Sequence, residues 1–262
     1  MLSFTVFAAA FAAVIADGNQ ALRSSRAEGF VKALEFKHRL RVCNAYPYSA
    51  ALDVFRGKGE KLTGDDPMAY KSCRDFLAPL QAGDKLEFKV GDASAGTFAV
   101  SDLPNNDAVL LLVIHRHDTI STAVSFESHV FANLLNAQVA IIDTYKGAAR
   151  ATPRIMDAEE TNKKSSRSEE LRYNSVVAVN PGVYEVELMG QDGEAKSKGK
   201  LVALNRESYV VLRTGVEAQQ GPSYEQELVV YPESDASTLK SGAMSSGPGA
   251  LILAAVLAFF SR

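Results

Sequence analysis

The sequence contains no tryptophan, only two cysteines among 262 residues, and 8% aromatic residues. The lack of tryptophan gives little support for a carbohydrate-stacking platform, although tyrosine and phenylalanine can take that role. The formal net charge is −3, so the chain has no broad basic surface for a phosphate backbone. Nucleic acid is therefore not an expected partner.

Several motifs that carry chemistry are also missing. The chain has no GxSxG nucleophile turn, no CxxC pair and no glycine-rich loop between a strand and a helix. Their absence disfavours a serine hydrolase, a cysteine-ligated zinc site and a nucleotide site. We expect a protein that is not an enzyme and that needs no cofactor.

One histidine cluster qualifies this expectation. The segment His115–Asp118 reads HRHD, and on a strand His115 and His117 share a face, so both imidazoles could reach one metal ion. His129 could join them if its strand pairs alongside. A third ligand of known position is missing, so these histidines are weak candidates, and a polar strand end is the favoured interpretation.

Hydrophobic alternation predicts strands along most of the chain. Leu86, Phe88 and Val90 alternate with charged residues, which is typical of a half-buried strand, whereas Val109–Ile114 is apolar throughout and predicts a central strand covered on both faces. No long amphipathic helix interrupts this pattern, which disfavours an α/β fold.

The strand pattern occurs twice, at a spacing of about 100 residues. The matched pairs are Leu40–Phe55 with Gln138–Tyr145 and Pro153–Met156, Ala82–Gly91 with Asn180–Gly190, Ala108–His117 with Ser208–Gly215, and Thr122–Val130 with Tyr224–Tyr231. Four matches in one order predict a duplicated unit of short strands separated by turns. We therefore expect an all-β protein with two tandem antiparallel, immunoglobulin-like β-sandwich domains.

The two ends of the chain have the composition of targeting segments. Met1–Ala16 is a short apolar run with small residues near its end, which is typical of a signal peptide cleaved before Asp17. The predicted organisation is a signal peptide at 1–16, a polar segment at 17–33, sandwiches at 34–134 and 135–232, a spacer at 233–249 and a hydrophobic tail at 250–262.

The C-terminal tail resembles a signal for attachment of a GPI lipid anchor. Small residues and a polar spacer precede the apolar run Ala250–Phe260, which is too short to span a bilayer unaided. Ser241, followed by Gly242 and Ala243, and Asp235 are the candidate attachment residues. A bacterial sorting tail, a retained anchor and a buried helix are the alternatives. All but the last place the mature protein outside the cytosol.

Two cysteines in an exported chain predict one disulfide, between Cys43 and Cys73. Closing a loop of about 30 residues would stabilise the fold by roughly 3–4 kcal/mol. A reactive thiol is the alternative interpretation.

The segment RVCNAYPYSAALDV resembles the opening of a family of exported immunoglobulin-like β-sandwich domains, through Arg41, Val42, Asn44, Ala45, Pro47, Asp53 and Val54. The doubled arrangement also resembles the AlgF family, the accessory proteins of alginate O-acetylation. The resemblance covers Leu40–Pro232. The matching segments are Arg41–Ala45, Gln138–Tyr145, Val179–Leu188 and Leu201–Gly215, of which the last two are the closest to the family. It implies two small β-sandwiches after a signal peptide and a non-catalytic adaptor, to which no catalytic residue carries over. The C-terminal tail and the long charged loops depart from the family pattern.

These observations predict an exported, membrane-tethered accessory protein of cell-surface polysaccharide modification, periplasmic or on the cell surface. Its expected partners are an acyltransferase, other polysaccharide-modifying proteins or the glycan itself. The alternative is a GPI-anchored surface adhesion or structural protein without a role in a pathway.

Overall fold

The computed structural model describes residues 36–132, 136–158 and 168–239, without the side chain of residue 132. The predicted signal peptide, the tail and the attachment candidate Ser241 lie outside these ranges. Within them the regular secondary structure is β-strand, apart from a short helical turn at residues 237–239. No helix in the described ranges is long and apolar enough to cross a membrane.

The first sandwich consists of eight strands in two sheets. The strands are β1 (His38–Ala45), β2 (Asp53–Arg56), β3 (Glu60–Lys61), β4 (Cys73–Phe76), β5 (Lys85–Val90), β6 (Ala93–Ala99), β7 (Ala108–Arg116) and β8 (Val124–Ala132). One sheet has the order β4-β1-β7-β8 and the other the order β3-β2-β5-β6. The two-residue strand β3 lies within a segment whose glycines and charges predict only a loop.

The second sandwich repeats this arrangement. Its strands are β9 (Ala137–Asp143), β10 (Ala151–Asp157), β11 (Ser168–Glu170), β12 (Ser175–Val179), β13 (Gly182–Gly190), β14 (Ala195–Ala203), β15 (Ser208–Val216) and β16 (Tyr224–Tyr231). The sheets have the orders β12-β9-β15-β16 and β11-β10-β13-β14. Each strand thus takes the place of the strand eight positions earlier, and the predicted tandem sandwich fold is confirmed.

The duplication extends to a turn at the end of the first strand of each sandwich. The Asn44 side-chain oxygen accepts a hydrogen bond from the Tyr46 amide at 3.0 Å, and Asp143 does the same for Tyr145 at 3.0 Å. Such turns are favoured by short polar side chains that bond the backbone two residues on. Asn44 and Asp143 are therefore equivalent positions of the repeat.

Each sandwich contains one parallel strand pair, which the prediction of antiparallel sandwiches did not include. His38–Ala45 of β1 pairs with Ala108–His115 in parallel, and β9 pairs with β15 in the same way. The other strand pairings between named strands are antiparallel. Parallel partners need a long crossover connection, so this pairing depends on residues that are distant in sequence.

Three apolar layers hold four sheets together. Leu110, Leu112 and Ile114 point into the core of the first sandwich, whereas Val109, Leu111 and Val113 point the opposite way, because neighbouring side chains of a strand alternate between faces. The second set meets residues of β9 and β15 in a middle layer, and a third layer fills the second sandwich. Every residue of β7 is buried, as the sequence predicts for a strand covered on both faces.

Candidate docking groove and the interface beside it

The contact between the two sandwiches includes a fully buried arginine, Arg41 on β1. Its Nε and Nη2 atoms donate to the two carboxylate oxygens of Asp75 at 2.7 and 2.9 Å, and Nη1 donates to the Ser208 carbonyl of the second sandwich. The guanidinium also lies 3.5 Å from Glu207 and over the ring of Tyr231, 5.0 Å from its centroid. Two carboxylates and a carbonyl thus offset the cost of burying this charge.

The electrostatics of this cluster favour the charged arginine. Burial by itself lowers the pKa of Arg41, but the carboxylates of Asp75 and Glu207 outweigh burial and raise the pKa above its ordinary value. A second polar contact lies beyond the ends of β7 and β15, where the Gln219 backbone amide donates to the Thr119 carbonyl at 2.8 Å. The sandwiches are therefore joined by polar contacts at both ends of the middle apolar layer.

A groove of about 960 Å³ opens beside this interface. The first sandwich supplies one wall and strands β14 and β16 of the second supply the other. The lining residues are Lys71, Ser72, Cys73, Gly199, Lys200, Val202, Glu227, Leu228, Val229, Val230, Tyr231, Pro232, Glu233 and Ser234. We call this surface the docking groove.

Charged residues surround an apolar strip in the docking groove. Lys71 of the first sandwich bonds Glu227 of the second at 2.7 Å, whereas Lys200 and Glu233 are exposed. Burial raises the pKa of the Tyr231 hydroxyl, so this group is a neutral hydrogen-bonding group at physiological pH. The groove can therefore present both hydrogen bonds and apolar surface to an extended ligand.

The disulfide lies in the wall of this groove. Cys43 and Cys73 are bonded, as the sequence predicts, and they sit directly opposite each other on β1 and β4. Cys43 is fully buried, and Cys73 lines the groove. The bond ties the edge strand β4 to the central strand β1, and it indicates that the protein matures in an oxidising, exported environment.

A glycine on β14 allows the second sandwich to close next to the groove. A Cβ atom added to Gly199 would lie 2.7 Å from Val230 Cγ2 on β16. In the first sandwich, Gly96 of β6 faces Val124 and Phe126 of β8 in the same manner. In both sandwiches the close approach of two edge strands depends on the lack of a side chain.

The histidine candidates do not form a metal site. His115 is buried, and its Nδ1–H donates to the Arg116 carbonyl at 2.8 Å, which leaves Nε2 without a hydrogen-bond partner, 3.8 Å from a Glu127 oxygen. His117 lies beyond the end of β7 and contacts the Ser125 hydroxyl at 2.7 Å. His129 does lie on the neighbouring strand, but opposite Leu111 and against Phe131, four residues from the partner of His115.

Among the described residues, no group of three or more histidine, cysteine, aspartate or glutamate side chains is placed to hold a metal ion. The contact between His117 and Ser125 does not extend to a catalytic triad, because the nearby Asp118 carboxylate accepts hydrogen bonds from Ser121 and Ile120 instead. Those hydrogen bonds lower the pKa of Asp118. The HRHD segment is thus a strand end and a turn.

Asp235 is the one lipid-attachment candidate within the described ranges. Its carboxylate accepts hydrogen bonds from the Ser237 amide at 2.8 Å and from the Ser237 hydroxyl at 2.6 Å, and these bonds lower its pKa. The residue is exposed and lies two positions before the short helical turn. Its use as an attachment residue stays a prediction.

Sequence reasoning did not find the docking groove. Its walls come from strands of both repeats, more than 100 residues apart in the case of Lys71 and Glu227, and no local motif marks them. The one available signal was Cys73, a residue of the groove lining that the sequence marks as half of the predicted disulfide.

Comparisons with known proteins give little further guidance. No family model matches the chain, and no curated protein matches it. Among solved structures, the chain is similar to CBMbc, a family CBM26 module of Eubacterium rectale Amy13K solved with maltoheptaose. The identity is 10%, the alignment covers 76% of this chain and 99% of that one, and the TM-score is 0.25. Similarity at this level assigns no ligand to the protein.

Proposed function

We propose that the protein is a non-catalytic accessory protein of cell-surface polysaccharide modification, exported and tethered to a membrane, that docks glycan or a modifying enzyme. The observation that carries this proposal is the docking groove between the sandwiches. Its volume of about 960 Å³ is at the upper end of the range for ligand pockets. Because both repeats contribute walls, the duplication itself builds the site.

The composition of the groove suits binding more than catalysis. Tyr231 and the neighbouring valines provide apolar contact area, and Lys71, Lys200, Glu227 and Glu233 provide polar contacts around it. In the described part of the chain, no metal-binding cluster accompanies these residues. The resemblance to alginate O-acetylation accessory proteins suggests an exported, acylated polymer as the ligand or an acyltransferase as the partner.

A binding titration tests the docking role. We expect the full chain to bind alginate oligosaccharides, with and without O-acetyl groups, in a calorimetric titration. Lys200→Glu should weaken binding about tenfold or more, because it reverses a charge in the lining of the groove. Lys58→Glu, an exposed lysine outside the groove, is the matched control. Equal binding by both variants and the wild type would place the ligand elsewhere.

A pull-down and a gene deletion test the pathway. The full chain used as bait should recover an acyltransferase or a glycan-modifying protein from its native host, and deletion should lower acetylation of the surface polymer. Recovery of no such component, with unchanged acetylation and reduced cell adhesion after deletion, would favour the adhesion protein instead.

A further inference from the structure

A second pocket lies at the end of the molecule where β1 and β15 begin. It measures about 280 Å³ and lies at the contact between the two sandwiches. Buried apolar residues form part of its lining, namely Ala108, Val109 and Phe131. It is distinct from the docking groove, because the two share no lining residue.

Its acidic residues are already engaged. Asp107 accepts a hydrogen bond from the Lys37 backbone amide at 2.8 Å. Glu207 accepts one from Arg39 at 3.1 Å and lies 3.5 Å from the buried Arg41. Against these two carboxylates the lining has three cations, Lys37, Arg39 and Arg206, so it carries an excess of one positive charge.

Its remaining donors are unengaged. Lys37 and Arg206 are exposed, and within the described ranges neither the Lys37 ammonium nor the Arg206 guanidinium has a partner. The Asn136 side chain and the Ser208 hydroxyl complete the polar part of the lining. Two free cations beside neutral donors and engaged carboxylates make a site for an oxyanion.

Both ends of the described chain leave from this same end. Lys37 directly precedes β1, and β16 ends at Tyr231, which is opposite Val210 near the start of β15. Beyond it, Ser234 bonds the hydroxyl of Tyr209, the second residue of β15, at 3.0 Å. The 11 residues that follow Leu239, up to Ala250, where the apolar run begins, can span at most about 40 Å. A tether through that run, or through a lipid attached earlier in the segment, would hold this end close to a membrane.

We propose that this pocket binds the phosphate of an anionic lipid headgroup, with Lys37 and Arg206 as the contacting cations. The inference rests on the membrane tether in the proposed function. Basic side chains near an anionic membrane surface each strengthen binding by about 1 kcal/mol, or roughly fivefold. The pocket would orient the tethered protein with its termini towards the lipid and with the docking groove open beside the interface.

Vesicle flotation of the full chain tests this proposal. Flotation with vesicles of phosphatidylcholine alone measures membrane attachment without anionic lipid. Flotation with vesicles that also contain phosphatidylglycerol measures the added contribution of the pocket. We expect the wild type to prefer the anionic vesicles and the Lys37→Glu/Arg206→Glu variant to lose that preference by about tenfold or more. The charge-matched control is Lys58→Glu/Lys85→Glu, which changes two exposed lysines outside the pocket. The control variant should keep the preference.

The outcomes separate the hypotheses. An equal loss in the control variant, or no preference in the wild type, overturns the proposal. Thermal stabilisation by inorganic phosphate that depends on Lys37 and Arg206, without any preference among vesicles, overturns the lipid assignment in favour of free phosphate. Failure of the wild type to float on either vesicle also overturns the lipid proposal, whereas the polysaccharide titration is unaffected. If the reversed-charge variant does not fold, Lys37→Gln/Arg206→Gln makes the same test.

Discussion

The guanidinium of Arg41 in the first sandwich donates a hydrogen bond to the backbone carbonyl of Ser208 in the second. These residues are separated by 167 positions in the chain, yet they meet where the duplicated units touch. The same guanidinium forms two bonds with Asp75 of its own sandwich. One side chain thus couples the edge strand β4, the central strand β1 and the neighbouring sandwich.

Replacement of Arg41 by methionine should destabilise the protein strongly. The change leaves Asp75 and Glu207 without their buried cation, and breaking a buried pair in this way typically costs about 3–5 kcal/mol. Arg39→Met is the control, because Arg39 also contacts both carboxylates but its side chain is 37% exposed, so its loss should cost about 1 kcal/mol or less. Urea unfolding followed by circular dichroism measures both. Equal losses for the two variants would contradict the role assigned to Arg41.

Removal of the disulfide should also lower the free energy of unfolding. For a separation of 30 residues between Cys43 and Cys73, the chain-entropy estimate is about 3–4 kcal/mol. We expect this loss for Cys43→Ala/Cys73→Ala and for the wild type under reducing conditions. The neighbouring Ser72→Ala variant should change stability by less than about 1 kcal/mol. An unchanged midpoint after reduction would show that the bond does not constrain the unfolded chain.

His115 should make stability depend on pH below neutrality. Burial lowers its pKa, and Lys146 and His117 add to that effect, whereas the hydrogen bond with the Arg116 carbonyl and the charge of Glu127 oppose it. The unfolded chain, whose histidine pKa is about 6.5, then binds more protons than the folded chain as the pH falls. The stabilising contribution is complete above about pH 6.5 and is lost progressively below it, by at most about 1.4 kcal/mol per pH unit for one proton.

Urea unfolding at pH 7.5 and pH 5.5, values chosen on either side of about 6.5, measures this dependence. His115→Gln should reduce it, and His117→Gln, which removes an exposed imidazole, should retain it. His129 contributes with the same sign, because burial lowers its pKa as well. A His115→Gln variant with undiminished pH dependence would assign the effect to other groups.

Gly199→Val should separate the edges of the second sandwich. The new side chain would overlap Val230, which lies 2.7 Å from the position of the added Cβ atom, and overpacking of this kind costs about 1–3 kcal/mol. The effect on ligand binding in the docking groove should exceed that of Ala195→Val, an exposed residue of the same strand. Unchanged stability in thermal unfolding would mean that β14 and β16 can move apart freely.

The sequence predicted the strands and their duplication well, since both depend on local patterns. Alternation at Leu86–Val90 and the continuous apolar run at Val109–Ile114 correctly distinguished a strand buried on one face from one buried on two. His115 and His117, the weak metal candidates, do not share the face of one strand, because the strand ends at Arg116. The exact end of a strand depends on its partner, and this information is not contained in the alternation itself.

The amino-acid order alone determined that the chain forms short strands, that they occur twice, and that Cys43 and Cys73 are its two cysteines. Tertiary structure decided the parallel pairing of β1 with β7, the burial of Arg41 and the position of both pockets. A two-residue period specifies which side chains share a face, but each face acquires its partner only when distant segments meet. The interface, the docking groove and the basic pocket therefore arise from contacts between the two repeats, since neither repeat encodes them separately.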